Sequence, residues 1–343
     1  MIIGSWLACT KRPPPLPEPP ADPFAGLRAH LDGLADTGHW SGSVVVTHRG
    51  APWFAHAVGR RGPDDPQPVD RETQFRVGAI TQLFTSVVVH QLADEGRLSL
   101  DTPLATWFPG VPNAADITIA DLLQHRSGLR HVHQAPGYAR WRHHPIDDDA
   151  LLARIASQRP GFEPRAETAT SSSNYVLLGL VVAAVEARPL AELVETRIVA
   201  PLELTGTGLG SVLSDNHAIA MSWTDGTWME VPQTHPSVLA GSRALVSTPR
   251  DLCTFAHALF GGELVSEASL RSMQTLDGVF GRGLFRLTFG DRETWGHTGG
   301  VDGFRARMIH DPARDVCMAL ASHTDDTDVN ELTVAILDAL EDR

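Results

Sequence analysis

The sequence has 343 residues, 42% hydrophobic and 20% charged, with a formal net charge of -13 at pH 7. That length supports a substantial buried core, and the composition is that of an ordinary globular chain. An acidic surface repels phosphate backbones and anionic lipid, which argues against nucleic acid or a membrane surface as partner, and no apolar run approaches the ~18 residues a bilayer-spanning helix needs.

The chain opens on MIIGSWLAC, a short apolar run ending at Cys9, and continues through a proline-rich stretch to Pro23. The run resembles the end of a bacterial lipoprotein signal, whose cysteine, here Cys9, would carry the lipid. It lacks a preceding positive residue and is short for a signal peptide, so a disordered leader is the other reading. Residues 1–23 are expected to be a leader and stiff tether. Cell envelope, periplasm and cytoplasm all stay open as locations. Three cysteines are too few, and odd in number, for a disulfide framework. Cys253 and Cys317 are expected to be small buried hydrophobes.

Ordered structure is expected from residue 24. Residues 24–34 carry apolar side chains at helical spacing, and residues 42–48 with 51–58 read as a hairpin about Arg49-Gly50. Ile80, Leu83, Phe84, Val87, Val88 and Leu92 share one helical face, closed by Gly96. Thr118 and Asp121 form a capping-box pattern for a helix over 119–126, and Asp147, Asp148 and Asp149 suit a helix N-terminus. Residues 173–188 and 190–200 continue the helical stretch. Thr248, Pro249 and Asp251 supply cap, first-position proline and first-turn acid for a helix ending at Phe260. Short strands are expected at 284–289, 304–310 and 316–321, then a helix at 329–340. This order predicts an α+β fold: an antiparallel sheet with flanking helices, and a mainly helical region at about 79–250 inserted into a single domain over 24–343.

Six blocks carry a resemblance: FRVGAITQLFT (75–85), LSLDTPLATWFPGVP (98–112), ITIADLLQHRSGL (117–129), NYVLLGL (174–180), LVSTPRDL (245–252) and GHTGGVDGF (296–304). In order and spacing, from about residue 27 to 340, they resemble the serine β-lactamase and penicillin-binding-protein family. The resemblance implies a β-lactamase/transpeptidase-like fold with serine hydrolase ancestry and no cofactor.

The family's chemistry rests on S-x-x-K at a helix start, where positions three apart share a face and the amine reaches the hydroxyl. The matching positions here are Ala79 and Gln82. A methyl group cannot attack a carbonyl, and an amide is no base. The second motif, Tyr-x-Asn or Ser-x-Asn, aligns with Thr170-Ser171-Ser172; a slipped register would place Ser172-Ser173-Asn174 there. The third survives as His297-Thr298-Gly299, followed by Gly300. By resemblance, the backbone N–H groups of Ala79 and Gly300 form an oxyanion hole, which does not depend on side chains. Deleting the nucleophile in another serine hydrolase lowered turnover roughly a millionfold. The expectation is therefore a ligand-binding or regulatory pseudoenzyme for a small molecule or peptide, with Ala79, Gln82, Ser172, His297, Thr298, Gly299 and Gly300 lining its cleft. The alternative is a weak esterase, amidase or β-lactamase whose nucleophile has moved to Thr81, Ser86 or Ser171.

His125, His131, His133, His143 and His144 lie close in sequence but show no metal-ligand motif, so a solvent-facing loop and no metal are expected. Trp107, Phe108, Trp141, Trp223 and Trp228 read as core or cleft-wall aromatics. Arg305 and Arg307 read as exposed strand residues.

Overall fold

The computed structural model describes residues 22–210 and 214–341. Cys9 and residues 1–21 of the expected leader lie outside the described residues.

After α1 (Ala25–Asp36), strands β1 (Gly42–His48) and β2 (Ala51–Val58) form the expected hairpin, with Arg49 and Gly50 both at positive φ in the turn. β3 (Phe75–Arg76) leads into a 3-10 turn, Gly78–Ile80, that continues as α2 (Thr81–Asp94). The helical region goes on through α3 (Ile119–Leu123), α4 (Tyr138–Trp141), α5 (Asp148–Ala156), α6 (Ser172–Glu186) and α7 (Leu190–Val194). Then come β4 (Gly208–Leu209), the hairpin β5 (Met221–Thr224) and β6 (Thr227–Glu230), and α8 (Pro236–Arg243). β7 (Leu245–Ser247), α9 (Pro249–Phe260) and α10 (Glu267–Met273) follow. The last elements are β8 (Phe285–Phe289), β9 (Arg292–Val301), β10 (Phe304–Asp311), β11 (Val316–Ser322) and α11 (Val329–Glu341).

The sheet runs β2-β1-β11-β10-β9-β8, each neighbour antiparallel. Successive strand residues point to opposite faces, and the sorting is consistent here. Val44 and Val46 of β1, Met318 and Leu320 of β11, and Ile309 of β10 pack with Leu27 and Leu31 of α1 and Leu332 and Ile336 of α11. Val45, Met308, Cys317 and Ala319 face the other way, toward Leu252, Cys253 and Phe255 of α9 and the helical region. Phe84 of α2 stacks on Phe255 at 4.0 Å between ring centroids, tying that region to α9. Cys253 and Cys317 are buried free thiols in this layer. β3, β7 and β4 make a second, three-stranded sheet.

The helix ends read from sequence are built by the expected groups. Thr118 Oγ1 accepts from the Asp121 N–H, and Asp121 Oδ2 accepts from the Thr118 N–H. Asp147 caps α5 and Thr248 caps α9. α3 stops at Leu123, short of the expected residue 126, because His125 adopts φ 59°.

α2 differs from the expected one-sided helix. All its residues except Gln91, Ala93 and Asp94 are buried, because α6, α7, α8 and α10 pack around it and Phe255 of α9 stacks on Phe84. Three of its buried polar side chains are satisfied internally, as burial requires: Thr85 Oγ1 donates to Gly241 O at 2.7 Å, Ser86 Oγ to Arg282 O at 2.7 Å, and His90 Nδ1 to Ser86 O at 2.8 Å.

Candidate active-site cleft

The 3-10 turn and the start of α2 meet β9 without side chains between them. A Cβ on Gly78 would lie 2.5 Å from Gly300 N, and one on Gly299 would overlap the Val77 carbonyl and lie 3.3 Å from Ala79 N. Backbone therefore packs on backbone, an approach only glycine permits. The amide nitrogens of Ala79 and Gly300 both lie at this contact, and an N–H in the first turn of a helix has no intrahelical carbonyl to bond. Gly299→Ala is expected to lower stability by about 2–3 kcal/mol by forcing these segments apart; an unchanged thermal midpoint would contradict the tight contact.

Ala79 is partly exposed at this contact, while Gln82 beneath it is buried at 5% exposure. Gln82 sits in a chain of oriented hydrogen bonds. Ser127 Oγ donates to Asn174 Oδ1 at 2.6 Å, which turns the Asn174 amide so that Nδ2 donates to His125 Nδ1 at 3.1 Å. The Ser171 N–H also donates to His125 Nδ1, at 3.2 Å. With two donors aimed at Nδ1, the imidazole proton must sit on Nε2. Nε2 then donates to Gln82 Oε1 at 3.2 Å, and Gln82 Nε2 donates to Ser242 Oγ at 3.4 Å. The network is neutral throughout: burial, with His297 and His131 nearby, pushes His125 down to about 3. An amide at position 82 completes it without introducing a charge.

His297 faces the same contact, because it shares a pleat face with Gly299 and lies opposite Met308. Its Nδ1 donates to Thr298 O at 2.8 Å, leaving Nε2 as a bare acceptor that is buried and makes no hydrogen bond. Burial holds His297 down to about 4, so it is neutral near pH 7. Phe285 stacks on the ring at 4.2 Å.

Thr298 and Arg307 need correction. They lie opposite each other in the β9–β10 register, on the face covered by α11. Arg307 is buried, donating from Nε to Thr298 Oγ1 at 3.1 Å, from Nη1 to Thr333 Oγ1 at 3.1 Å and from Nη2 to Asn330 Oδ1 at 2.7 Å. The pleat therefore turns Thr298 away from the cleft expected to hold it, and Arg307 is not the exposed residue the alternation suggested.

In the second motif, Thr170 is exposed and Ser172 is drawn aside: Val132 N–H donates to Ser172 Oγ at 3.3 Å, and Ser172 N–H donates to His131 Nδ1 at 3.0 Å. Neither hydrogen-bonds Gln82; Asn174 reaches it through His125. Of the candidate replacement hydroxyls, Thr81 Oγ1 donates to Gly78 O at 2.6 Å and accepts from Leu245 N–H at 3.0 Å, while Ser86 is bound to Arg282 O. Ser171 Oγ is buried and bonds to nothing. Two hydroxyls do lie near an imidazole: Ser86 Oγ is 3.3 Å from His90 Nδ1, a nitrogen whose proton goes to Ser86 O, and Ser172 Oγ is 3.4 Å from His131 Nδ1, which also accepts from the Ser172 N–H.

Among the histidines expected on a solvent-facing loop, His125 is instead buried at the centre of the network, at 1% exposure. His131 and His133 stack at 4.5 Å between centroids, and among the described residues that loop forms no metal-ligating group. Trp223 is exposed rather than walling a cleft; it packs on Trp228 within the β5–β6 hairpin.

Sequence reasoning missed Arg243. It is half-buried at the end of α8, next to the Ser242 that holds Gln82, and its Nε is buried without a hydrogen bond. Among the described residues it has no ion-pair partner. Burial lowers its pKa, and its charge helps hold His131, His133 and His297 neutral. No motif marks an arginine at this place; only the fold brings it to the cleft.

A family profile for Beta-lactamase matches residues 27–341. The chain belongs to the beta-lactamase family. Penicillin-binding protein 4* of Bacillus subtilis (strain 168) is 25% identical over 345 residues, spanning 92% of this chain and 75% of the relative. The D-stereospecific amidohydrolase from Streptomyces sp. superposes with a TM-score of 0.80 at 28% identity, over 91% of this chain and 98% of that one. The D-amino acid amidase from Ochrobactrum anthropi SV3 shares the fold, with a TM-score of 0.84 at 24% identity over 94% and 99% of the two chains. The α+β fold with its antiparallel sheet and the serine-hydrolase-type family are thus established.

Proposed function

We propose that the chain is a non-catalytic member of the beta-lactamase family that binds a peptide-like ligand in the cleft between α2 and β9 without cleaving it. One observation carries the reading: the position beside the candidate oxyanion nitrogens is a methyl, and the position one turn on is an amide fixed between His125 and Ser242. Lys11 is the only lysine in the sequence and precedes every described residue, so no other lysine of the folded part can replace the missing base.

The ligand chemistry follows from what the cleft offers. The amide nitrogens of Ala79 and Gly300 suit a carbonyl oxygen, and Arg243 suits a carboxylate. Together they describe an amide carrying a nearby negative charge. The family relatives named for penicillin binding and for amidohydrolase activity support the same class.

Calorimetry with short peptides ending in a D-amino acid, run beside intact-mass analysis after exposure to a penicillin and a fluorophosphonate, tests this. Binding with no adduct and no turnover is expected. A covalent adduct abolished by Ser171→Ala would replace the proposal with a relocated nucleophile. Arg243→Met is expected to weaken binding about 10- to 100-fold, the range for losing a hydrogen-bonded charge. An affinity unchanged by that substitution removes the carboxylate assignment.

A further inference from the structure

At the end of the sheet away from the cleft, a second group of side chains converges. His257 comes from α9, His310 from the end of β10, and Asp315 from the turn between β10 and β11. In the β9–β10 register His310 lies opposite Trp295, five residues along β9 from the Gly300 of the cleft. One ligand-type atom from each of the three lies within 4.8 Å of the other two. His257 Nδ1 is 3.4 Å, and His310 Nε2 is 3.2 Å, from the same Asp315 oxygen.

Those two separations are informative. Ligand atoms around a four-coordinate zinc, with bonds of about 2.0–2.1 Å, lie about 3.3 Å apart along each tetrahedral edge. The surroundings match the same geometry. His257 Nε2 is 2.8 Å from Thr47 Oγ1, the position of an outer hydrogen bond that turns the other ring nitrogen toward Asp315. His310 is held from the side by Phe260, stacked at 4.4 Å. The Asp315 side chain is 51% exposed, so water has access to a fourth position.

We infer that His257, His310 and Asp315 form a site for a divalent transition-metal ion of the zinc class, with water as the fourth ligand and Thr47 orienting His257. Two histidines and one carboxylate with an open position also occur at catalytic metals, but this site lies apart from the cleft. It locks α9 to the β10–β11 turn and takes no part in the ligand binding proposed above, so either reading can fail without the other.

The test uses the full chain without a polyhistidine tag, loaded with excess zinc chloride, desalted and measured by elemental analysis. About one equivalent of zinc is expected to remain. His257→Gln, at a half-buried position, and Asp315→Asn, at an exposed one, are expected to retain about a tenth or less, with circular dichroism like that of the wild type in chelator. Cobalt loading should give the visible absorption of a four-coordinate ion in the wild type and lose it in both variants. His133→Ala should keep the full equivalent, separating this site from the histidines near the cleft. A wild type that retains no zinc, or variants that retain as much as the wild type, overturns the inference: the three groups would then be a hydrogen-bonded cluster only.

Discussion

The double variant Ala79→Ser/Gln82→Lys is expected to form a covalent adduct with a fluorescent penicillin, where the wild type and Ala79→Ser alone stay unlabelled. Position 79 borders the amide nitrogens that would receive the carbonyl oxygen, so the serine supplies the missing nucleophile and the lysine the missing proton acceptor. The expected gain in labelling rate is at least about a thousandfold, a fraction of the roughly millionfold that a serine nucleophile carries elsewhere. The lysine amine would arrive where Gln82 now accepts from His125 Nε2 and donates to Ser242. A neutral amine can keep both bonds, whereas an ammonium would face the His125 N–H. Burial therefore favours the base form there, and the double variant should also melt lower than the wild type. Labelling of Ala79→Ser as fast as the double variant would show that the lysine is not what is lacking. No adduct in the double variant would show that the backbone nitrogens are not arranged to hold a carbonyl.

Below pH 6.5 the protein is expected to lose stability steeply and to unfold near pH 5. His90, His297 and His323 are held down to about 4 and His125 to about 3, in each case chiefly by burial, against an ordinary value of 6.5. A depressed histidine is neutral in the folded state and takes its proton more readily when unfolded. Its contribution is therefore complete above pH 6.5 and is lost as the pH falls from there toward the folded value. Four such groups together give a slope of up to about 5 kcal/mol per pH unit, against a total stability of order 5–15 kcal/mol. Thermal melts between pH 7.5 and 4 measure this directly. A midpoint that stays level down to pH 4.5 would mean that these rings are hydrated or charged in the native state. His125→Gln, which keeps a donor and an acceptor, should flatten the slope by about 1.4 kcal/mol per unit.

The sheet, the main helices and their caps were legible because each is written locally. Short alternating or apolar runs bounded by turn residues marked β1, β10 and β11, and the Thr118–Asp121 and Thr248–Asp251 pairs marked helix starts. What could not be read was which face an otherwise ambiguous residue takes. Arg307 alternates with Arg305 like any exposed strand pair, and only α11, laid across that face, buries it. Gln82, Thr85, Ser86 and His90 look like the wet side of an amphipathic helix until neighbours close around α2. At the candidate site, the substitutions at 79 and 82 were visible by resemblance. The groups that stabilise an amide at 82, namely His125, Asn174, Ser127 and Ser242, come from three other segments and leave no spacing in the sequence. Arg243 was missed for the same reason.

The glycine contacts at 78, 299 and 300 bear on how this lineage can change. The gap between turn and strand is set by main-chain atoms touching main-chain atoms, so its width does not depend on which side chains happen to line it. Drift can therefore exchange every reactive group around that slot and leave its dimensions as they were. A binder could arise from a hydrolase, or a hydrolase from a binder, with no remodelling of the scaffold.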